Sequence, residues 1–491
     1  MTRRLEYKWL VAIVFVFGLF MNLLDVTIVN VALPTFAHDF GASTTTIQWV
    51  VTGYLLSLAV FIPVSGWTGD RFGTKRIFMI ALFMFILGSL LCGLARDIEV
   101  LIAFRVLQGV GGGLVTPVGI AMLMRAFPPA ERAQAAALIA IPTVVAPASG
   151  PVLGGYLVEY QSWHWIFFIN IPIGFAGLAA AASFLRETKQ PNPGRLDVPG
   201  FLLSASGLAC VLYALAEAGP RGLDDSRVAL FGLVGVTLLA IFTVVELRTA
   251  EPMIDVRLLG NKLFRASIAV QFIGFAGFAG ALFLLPLLLQ AEMGLSPLES
   301  GLTTFPQAIG VAMMVQPVGR LYRRLGPRRM MMTGMAGAAV ITLSFLLVDL
   351  DTSQWWIRLI MLARGWFFAF TLVTLPAAAY ATISFEDTGR ATAIFNTGQQ
   401  VGSSFGVALL ATVLSNRLTH YHSALGVPGV QQDALLAFHD AFIAAAVLVA
   451  LAVALSLFFD DREAAGTMRQ GATAGVSKEP VAGARAEWPD G

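Results

Sequence analysis

The chain has 491 residues, of which 57% are hydrophobic and 13% charged, and its mean hydropathy is +0.76. That charged fraction is about half the roughly 25% of soluble domains, so the composition cannot cover a water-soluble surface and implies a polytopic membrane protein. A net charge of +2 gives no basis for a nucleic-acid partner, and Cys92 and Cys210, both inside apolar stretches, give none for a disulfide framework or a thiolate metal site.

Apolar runs long enough to span a bilayer recur fourteen times, near residues 9–33, 47–67, 77–95, 98–124, 133–158, 165–185, 199–217, 228–247, 265–290, 300–318, 330–348, 355–382, 390–415 and 438–459. Continuous runs of this kind exclude the alternating pattern of a membrane barrel, so the fold class is all-α integral membrane. The first run follows Arg3, Arg4 and Lys8 like a secretory signal, but it is too long and lacks a small-residue cleavage site, so it is expected to remain as a spanning helix. With fourteen spans and a cytoplasmic N-terminus, 25 of the 32 Lys and Arg residues fall on the cytoplasmic side, and five on the other: Arg96, Arg221, Arg227, Arg358 and Arg417. The positive-inside rule then places both termini in the cytoplasm. The Gly-, Ala- and charge-rich tail, 461–491, has the composition of a disordered segment.

The first segment holds Asp25 in the string LDVTIVNVALP, residues 24–34. An ionised carboxylate at membrane depth costs about 2.5–3.5 kcal/mol on insertion scales, so Asp25 reads as functional. The alternative is a local hydrogen bond to Asn22 or Thr27 that only shapes the helix. In the fourth segment Arg105 sits, by residue count, roughly 10–12 Å from the same external face as Asp25. Facing each other, an arginine favours the ionised carboxylate while desolvation favours the protonated one, so a moving Arg105 switches Asp25 between holding and releasing a proton. A static brace to carbonyls is the alternative for Arg105. Gln108 and Thr116 share its face and, with Asn22 and Asn30 on the first segment, are candidates for lining a cavity.

Gly109, Gly111, Gly112 and Gly113 follow on the same helix. No strand precedes them and the chain has no GxxxxGK[ST] string, so close helix packing is the expected role and a nucleotide site is not. In the connection after the second segment, GWTGDRFGTKR (66–76), Asp70 and Arg71 lie between glycines and are candidates for a charged latch that pairs across the interface between halves. The fifth segment carries Pro142, Pro147 and Pro151 among Gly150, Gly154 and Gly155, consistent either with a flexing seam between halves or with a merely irregular buried helix.

The connection after the tenth segment, GRLYRRLGPRR (319–329), echoes the first: Gly66 matches Gly319, Gly73 matches Gly326, and Lys75 and Arg76 match Arg328 and Arg329, while Arg323 stands where Asp70 does. Arg105 is echoed by Arg364 in the twelfth segment. Two six-helix halves, 1–190 and 263–460, separated by a linker with two extra helices at 191–262, fit these offsets, with a substrate site at midplane between the repeats. The place matching Asp25, near Ala281, is apolar, so coupling is expected in the first half. Arg364, Asn396 and Gln400 are further cavity candidates; for the thirteenth-segment amides, contact with substrate and hydrogen bonding between helices remain alternatives. The five histidines, His38, His164, His420, His422 and His439, make no ligand set, and no nucleophile and base pattern suggests an enzyme.

These strings together resemble the major facilitator superfamily, and specifically its fourteen-helix drug:proton antiporter family. GWTGDRFGTKR matches the superfamily loop signature, LIAFRVLQGVGGG (101–113) its fourth-helix motif, SGPVLGG (149–155) the antiporter motif, and LDVTIVNVALP the first-helix motif of drug exporters; WHWIFFINIPIG (163–174) is also similar. The resemblance implies a multi-pass protein of the bacterial cytoplasmic membrane that exports amphipathic or cationic organic compounds in exchange for protons. Asp25 and Arg105 would couple protons, and Gly66, Asp70, Arg71, Gly73 and Arg76 would form the conformational latch. The proton-motive force would replace any cofactor. Some members of the family work with a periplasmic adaptor protein, and others export lipids, siderophores or sugars; a proton-coupled symporter or a facilitator is the competing function.

Overall fold

The computed structural model describes residues 6–127, 131–189, 195–222, 224–249, 252–384, 387–459 and 461. The tail expected to be disordered lies outside them apart from Asp461, and so does the side chain of Arg323. Among the described residues there is no strand, and each of the fourteen apolar segments falls on helix.

The first half comprises α1 (Tyr7–Phe40), α2 (Thr44–Phe72), α3 (Thr74–Gly93), α4 (Ile98–Ala126), α5 (Arg132–Tyr160), and a sixth span broken into α6 (Trp165–Phe168) and α7 (Asn170–Phe184). Then come α8 (Val198–Arg221) and α9 (Ser226–Arg248), an antiparallel hairpin. The second half comprises α10 (Lys262–Pro286), extended by a wide turn over Leu287–Glu292, followed by α11 (Pro297–Thr304), α12 (Pro306–Leu343), α13 (Gln354–Ala379), α14 (Thr388–His420) and α15 (Gln431–Ser456). Among the described residues, twelve helical stretches are long and apolar enough to cross a membrane. The remaining two predicted spans fall on α5 and on α11 with the first part of α12, which breaks at Gly326 (φ 75°, ψ 167°).

Side-chain caps explain several starts: Ser43, Asp97, Asp225 and Ser353 each accept a backbone N–H of the first turn, and Ser296 and Glu299 form a reciprocal box at α11. One expected end moves. The apolar run ends at Leu33, before Pro34, yet α1 continues through that proline to Phe40 and closes on Gly41 in the left-handed conformation (φ 59°), as helices commonly do. Asp25 is therefore farther from the end of its helix than the run suggests.

The hairpin exposes apolar side chains along its length, including Leu202, Leu230, Leu233 and Val236, as a lipid-facing pair does. Its α8 packs against α2 of the first half and α14 of the second, with Phe61 and Phe201 in edge contact at 5.5 Å and Thr412 donating to the Leu215 carbonyl. The halves themselves meet through α2 with α14 and α5 with α11. On the face away from the termini one hydrophobic core joins them, uniting Leu33, Phe36 and Trp163 with Phe283, Leu288, Leu414 and Phe438. On the terminus-bearing face the second half keeps its own core of Leu263, Phe264, Met331, Leu375 and Phe459. Hydrogen bonds from Gln290 to the Val31 carbonyl and from the Leu298 amide to Glu159 tie the halves on the far side. The molecule is thus in a conformer sealed away from its termini.

Candidate functional site

Helices α1 and α4 bring Asp25 and Arg105 together in the interior of the first half, where the two side chains are 0% and 1% exposed. Arg105 Nη1 donates to Asp25 Oδ2 at 2.5 Å and to Gln108 Oε1 at 2.7 Å. Gln108 Nε2, one turn along α4, donates to Asp25 Oδ1 at 2.8 Å. A third donor arrives from another helix, with Asn170 Nδ2 at 3.1 Å from the same oxygen and 3.0 Å from Ser89 Oγ, which itself donates to the Phe167 carbonyl. The arginine is fixed from behind: Nε donates to the Val50 carbonyl at 3.1 Å and its guanidinium lies 4.0 Å from the Tyr54 ring centroid.

Both oxygens of Asp25 are therefore engaged by donors, and the pair is cut off from water. Buried ion pairs of this kind are poor sources of stability, but removing one member leaves an uncompensated charge at a cost of about 3–5 kcal/mol. The local alternative for Asp25 does not hold. Asn22 is turned away, donating to the Gly112 carbonyl and to Thr116 Oγ1 and accepting from Tyr54 Oη at 2.7 Å, while Thr27 bonds the carbonyls of Leu23 and Leu24. Asn22 and Thr116 thus form a second polar layer one turn from the pair. Asn30 donates to the Val26 carbonyl of its own helix. Close packing accounts for the glycine run: a Cβ on Gly109 would strike the Tyr54 carbonyl, and one on Gly111 the Ala81 carbonyl.

Asn170, Ser89 and Tyr54 were not singled out by the sequence pattern. Asn170 carried a signal, since it is an amide inside the apolar string WIFFINIPIG and stands at the break between α6 and α7. Ser89 and Tyr54 carried none beyond being polar within apolar helices.

The second half repeats the frame without the carboxylate. Arg364 is 2% exposed and donates to Gln307 Oε1 and to the Phe278 carbonyl, with its guanidinium 4.7 Å from the Phe278 ring centroid. Ala281 is fully buried in the core. Asn396 and Gln400, one helical turn apart on α14, are half-buried.

The loop echo extends to three dimensions. Gly73 and Gly326 both adopt positive φ, 105° and 75°, where only glycine is unstrained. Against each sits a carboxylate from just beyond the last helix of its own half. Glu187 accepts the amides of Lys75 and Arg76, and Asp461 accepts that of Arg328, capping the starts of α3 and of the second part of α12. Asp70 pairs with Arg125 of α4 at 2.7 Å, within its own half, because in this conformer the halves are cored separately on that face. Arg71, Arg76 and Gly66 are exposed.

The proline and glycine motif of α5 faces two ways. Gly150 and Gly154 pack on Thr27 and Ile28 of α1, while Gly155 packs on the backbone of Pro297 and Leu298, and the Pro151 carbonyl on Gly301 of α11. Pro147 is half-buried in the same helix.

The family model described as Major Facilitator Superfamily matches residues 15–407. Relatives include a putative multidrug resistance protein MdtD of Serratia proteamaculans, 34% identical over 482 residues (97% of this chain, 96% of that one). A multidrug resistance protein B homolog of Mycobacterium tuberculosis is 35% identical over 401 residues (81% and 74%). Among solved structures, a bacterial homolog of the human lysosomal transporter Spinster, inward-facing and unoccupied, superposes with a TM-score of 0.65 at 16% identity, covering 95% of this chain and 98% of that one. The fold and the sequence lead to the same conclusion: this chain is a transporter, not an enzyme, and belongs to the major facilitator superfamily.

Proposed function

We propose that the protein exchanges protons for amphipathic or cationic organic compounds across the bacterial cytoplasmic membrane, with both termini in the cytoplasm and the proton-motive force as its energy source. The observation that carries this reading is the Asp25–Arg105 pair, buried at membrane depth and held by donors from two other positions, Gln108 and Asn170. Structural ion pairs are a costly way to stabilise a membrane bundle, whereas a carboxylate that alternates between proton and arginine is a direct way to couple a gradient to a conformational change. Protonation of Asp25 would release Arg105 from α1, leaving Gln108 and Asn170 to rearrange. The multidrug-resistance names of the relatives support the substrate class.

Alternating access would then move the halves about the α5–α11 and α2–α14 seams, opening the far face and closing the terminus-bearing one, where Asp70 and Arg71 would find partners across the interface. The test is uptake of a fluorescent organic cation into proteoliposomes under an imposed pH gradient. Export-direction flux should follow the gradient and stop when an ionophore collapses it. Flux that ignores the gradient would leave a facilitator, and accumulation in the direction of proton flow a symporter.

A further inference from the structure

Arg364 repeats the place of Arg105 in a half that holds no acid for it. Its guanidinium meets neutral groups: Gln307 Oε1 and the Phe278 carbonyl, each at 2.9 Å, and the Phe278 ring. Helices α10, α12, α13 and α14 contain neither Asp nor Glu. On α15, Asp433 lies in the first turn, and Asp440 is met by Arg417 at 3.2 Å and by the Tyr421 hydroxyl. Glu292 and Glu299, on the far side, accept the amides of Gly426 and Ser296. Neutral acceptors orient the buried cation but carry no charge to balance it, and a buried ion without a counter-charge is among the costliest groups a fold can hold.

Beside this arginine is a cavity of about 20 Å³ between α10, α12, α13 and α15, lined by Gly274, Met335, Thr342, Thr371 and Val449 together with Arg364. Val449 is about 13 Å farther along α15 than Asp440 at 1.5 Å per residue, so that acid is remote from the cavity. A Cβ on Gly274 would meet the Met335 terminal methyl at 2.5 Å, so a larger residue there would displace the methionine that forms one wall. Of the two lining hydroxyls, Thr342 Oγ1 donates to the Ala338 carbonyl of its own helix at 2.7 Å. Thr371, 2% exposed, donates to Met335 Sδ at 3.8 Å. A thioether is a weak acceptor, so the Thr371 hydroxyl is a donor that a better acceptor in the cavity would take over.

We propose that this cavity binds one chloride-sized inorganic anion, with Arg364 supplying the charge and Thr371 the hydroxyl donor. Its size argues for a monatomic ion: the space holds a body of about one water molecule and leaves no room for a tetrahedral oxyanion or for a carboxylate with its carbon chain. A water there would satisfy the donors yet leave the charge uncompensated among apolar walls, where Phe278 and Phe368 stack at 3.7 Å and the low dielectric strengthens attraction for an anion. The anion gives Arg364 what Asp25 gives Arg105. Both halves then hold a neutralised arginine at corresponding places, one paired within the chain and the other from solution. The site does not depend on the proton-exchange reading.

Thermal unfolding of the full chain in detergent, with sodium chloride exchanged for sodium gluconate at fixed ionic strength and pH, tests it. The midpoint should rise saturably with chloride and with bromide, as it does for any ligand of the folded state. Arg364→Gln should abolish this dependence. Thr371→Val, which keeps the side-chain shape, should raise the half-saturating chloride concentration about tenfold or more, the loss expected for one hydrogen bond to a charged group. In crystals grown with bromide, the anomalous signal should lie beside the Arg364 guanidinium. Equal midpoints in chloride and gluconate would overturn the proposal, and so would a chloride dependence that both variants keep in full or a bromide signal confined to other places. A rise given by acetate and not by chloride would replace the halide with a carboxylate and refute the assignment. If Arg364→Gln does not fold, Thr371→Val and the bromide signal decide the matter.

Discussion

Substituting Gly301 with alanine would test whether the seal between halves is specific to one conformer. An added Cβ there meets the carbonyl oxygen of Pro151, and because a Cβ has no rotamer and its neighbour is backbone, no side-chain rearrangement relieves it. Overpacking of this kind costs about 1–3 kcal/mol. The cost applies only while α5 and α11 are in contact, which is the conformer closed away from the termini. If the seam parts in the alternate conformer, the ratio between the two shifts by about 5- to 150-fold. Spin labels at Lys189 and Arg329, exposed on the terminus-bearing face of either half, would read this shift in a protein whose two native cysteines had been replaced. Gly301→Ala should shorten the distance as that face closes. An unchanged distance distribution in a folded variant would refute the seam as a moving interface.

Asp25 and Arg105 should behave as one unit. Asp25→Asn and Arg105→Gln should each lower unfolding stability by about 3–5 kcal/mol, and the double variant should recover about 1–3 kcal/mol of the summed loss; additivity within about 0.5 kcal/mol would show no coupling. Glu187→Ala should uncap α3 and lower the thermal midpoint by an amount equivalent to about 0.5–2 kcal/mol, and Asp461→Ala should do the same for the second part of α12. No change in either would remove the capping role from the repeat. His164, stacked on Trp163 at 3.7 Å in the α5–α6 connection, titrates below the ordinary histidine range because burial disfavours its charged form. Its neutral form therefore contributes stability above pH about 6.5 that declines as pH falls, and a melting series should show that slope flattened in His164→Gln.

Much of this arrangement was legible before any coordinates. Each of the fourteen apolar runs falls on helix, twelve of them on stretches long and apolar enough to cross a membrane among the described residues, and the loop echo led to a pair of positive-φ glycines that neither run nor charge pattern could reveal. Arg105 and Asp25 were both conspicuous because charge is rare at membrane depth. Their partners were less so: Gln108 shares Arg105's helical face and could be placed by periodicity, but Asn170 comes from 145 residues along the chain, and only packing brings it to Asp25. The partner of Asp70 was not legible for a related reason. A surface loop charge has several partners within reach, and which one it takes depends on the conformer; here it is Arg125.

The most direct measurement is substrate-evoked proton movement in proteoliposomes containing the wild type or Asp25→Asn, with substrate binding measured on the same preparations. The wild type should move protons when substrate is added, and Asp25→Asn should bind substrate yet move none. Undiminished proton movement by the folded variant would contradict the assignment of Asp25 as the coupling carboxylate.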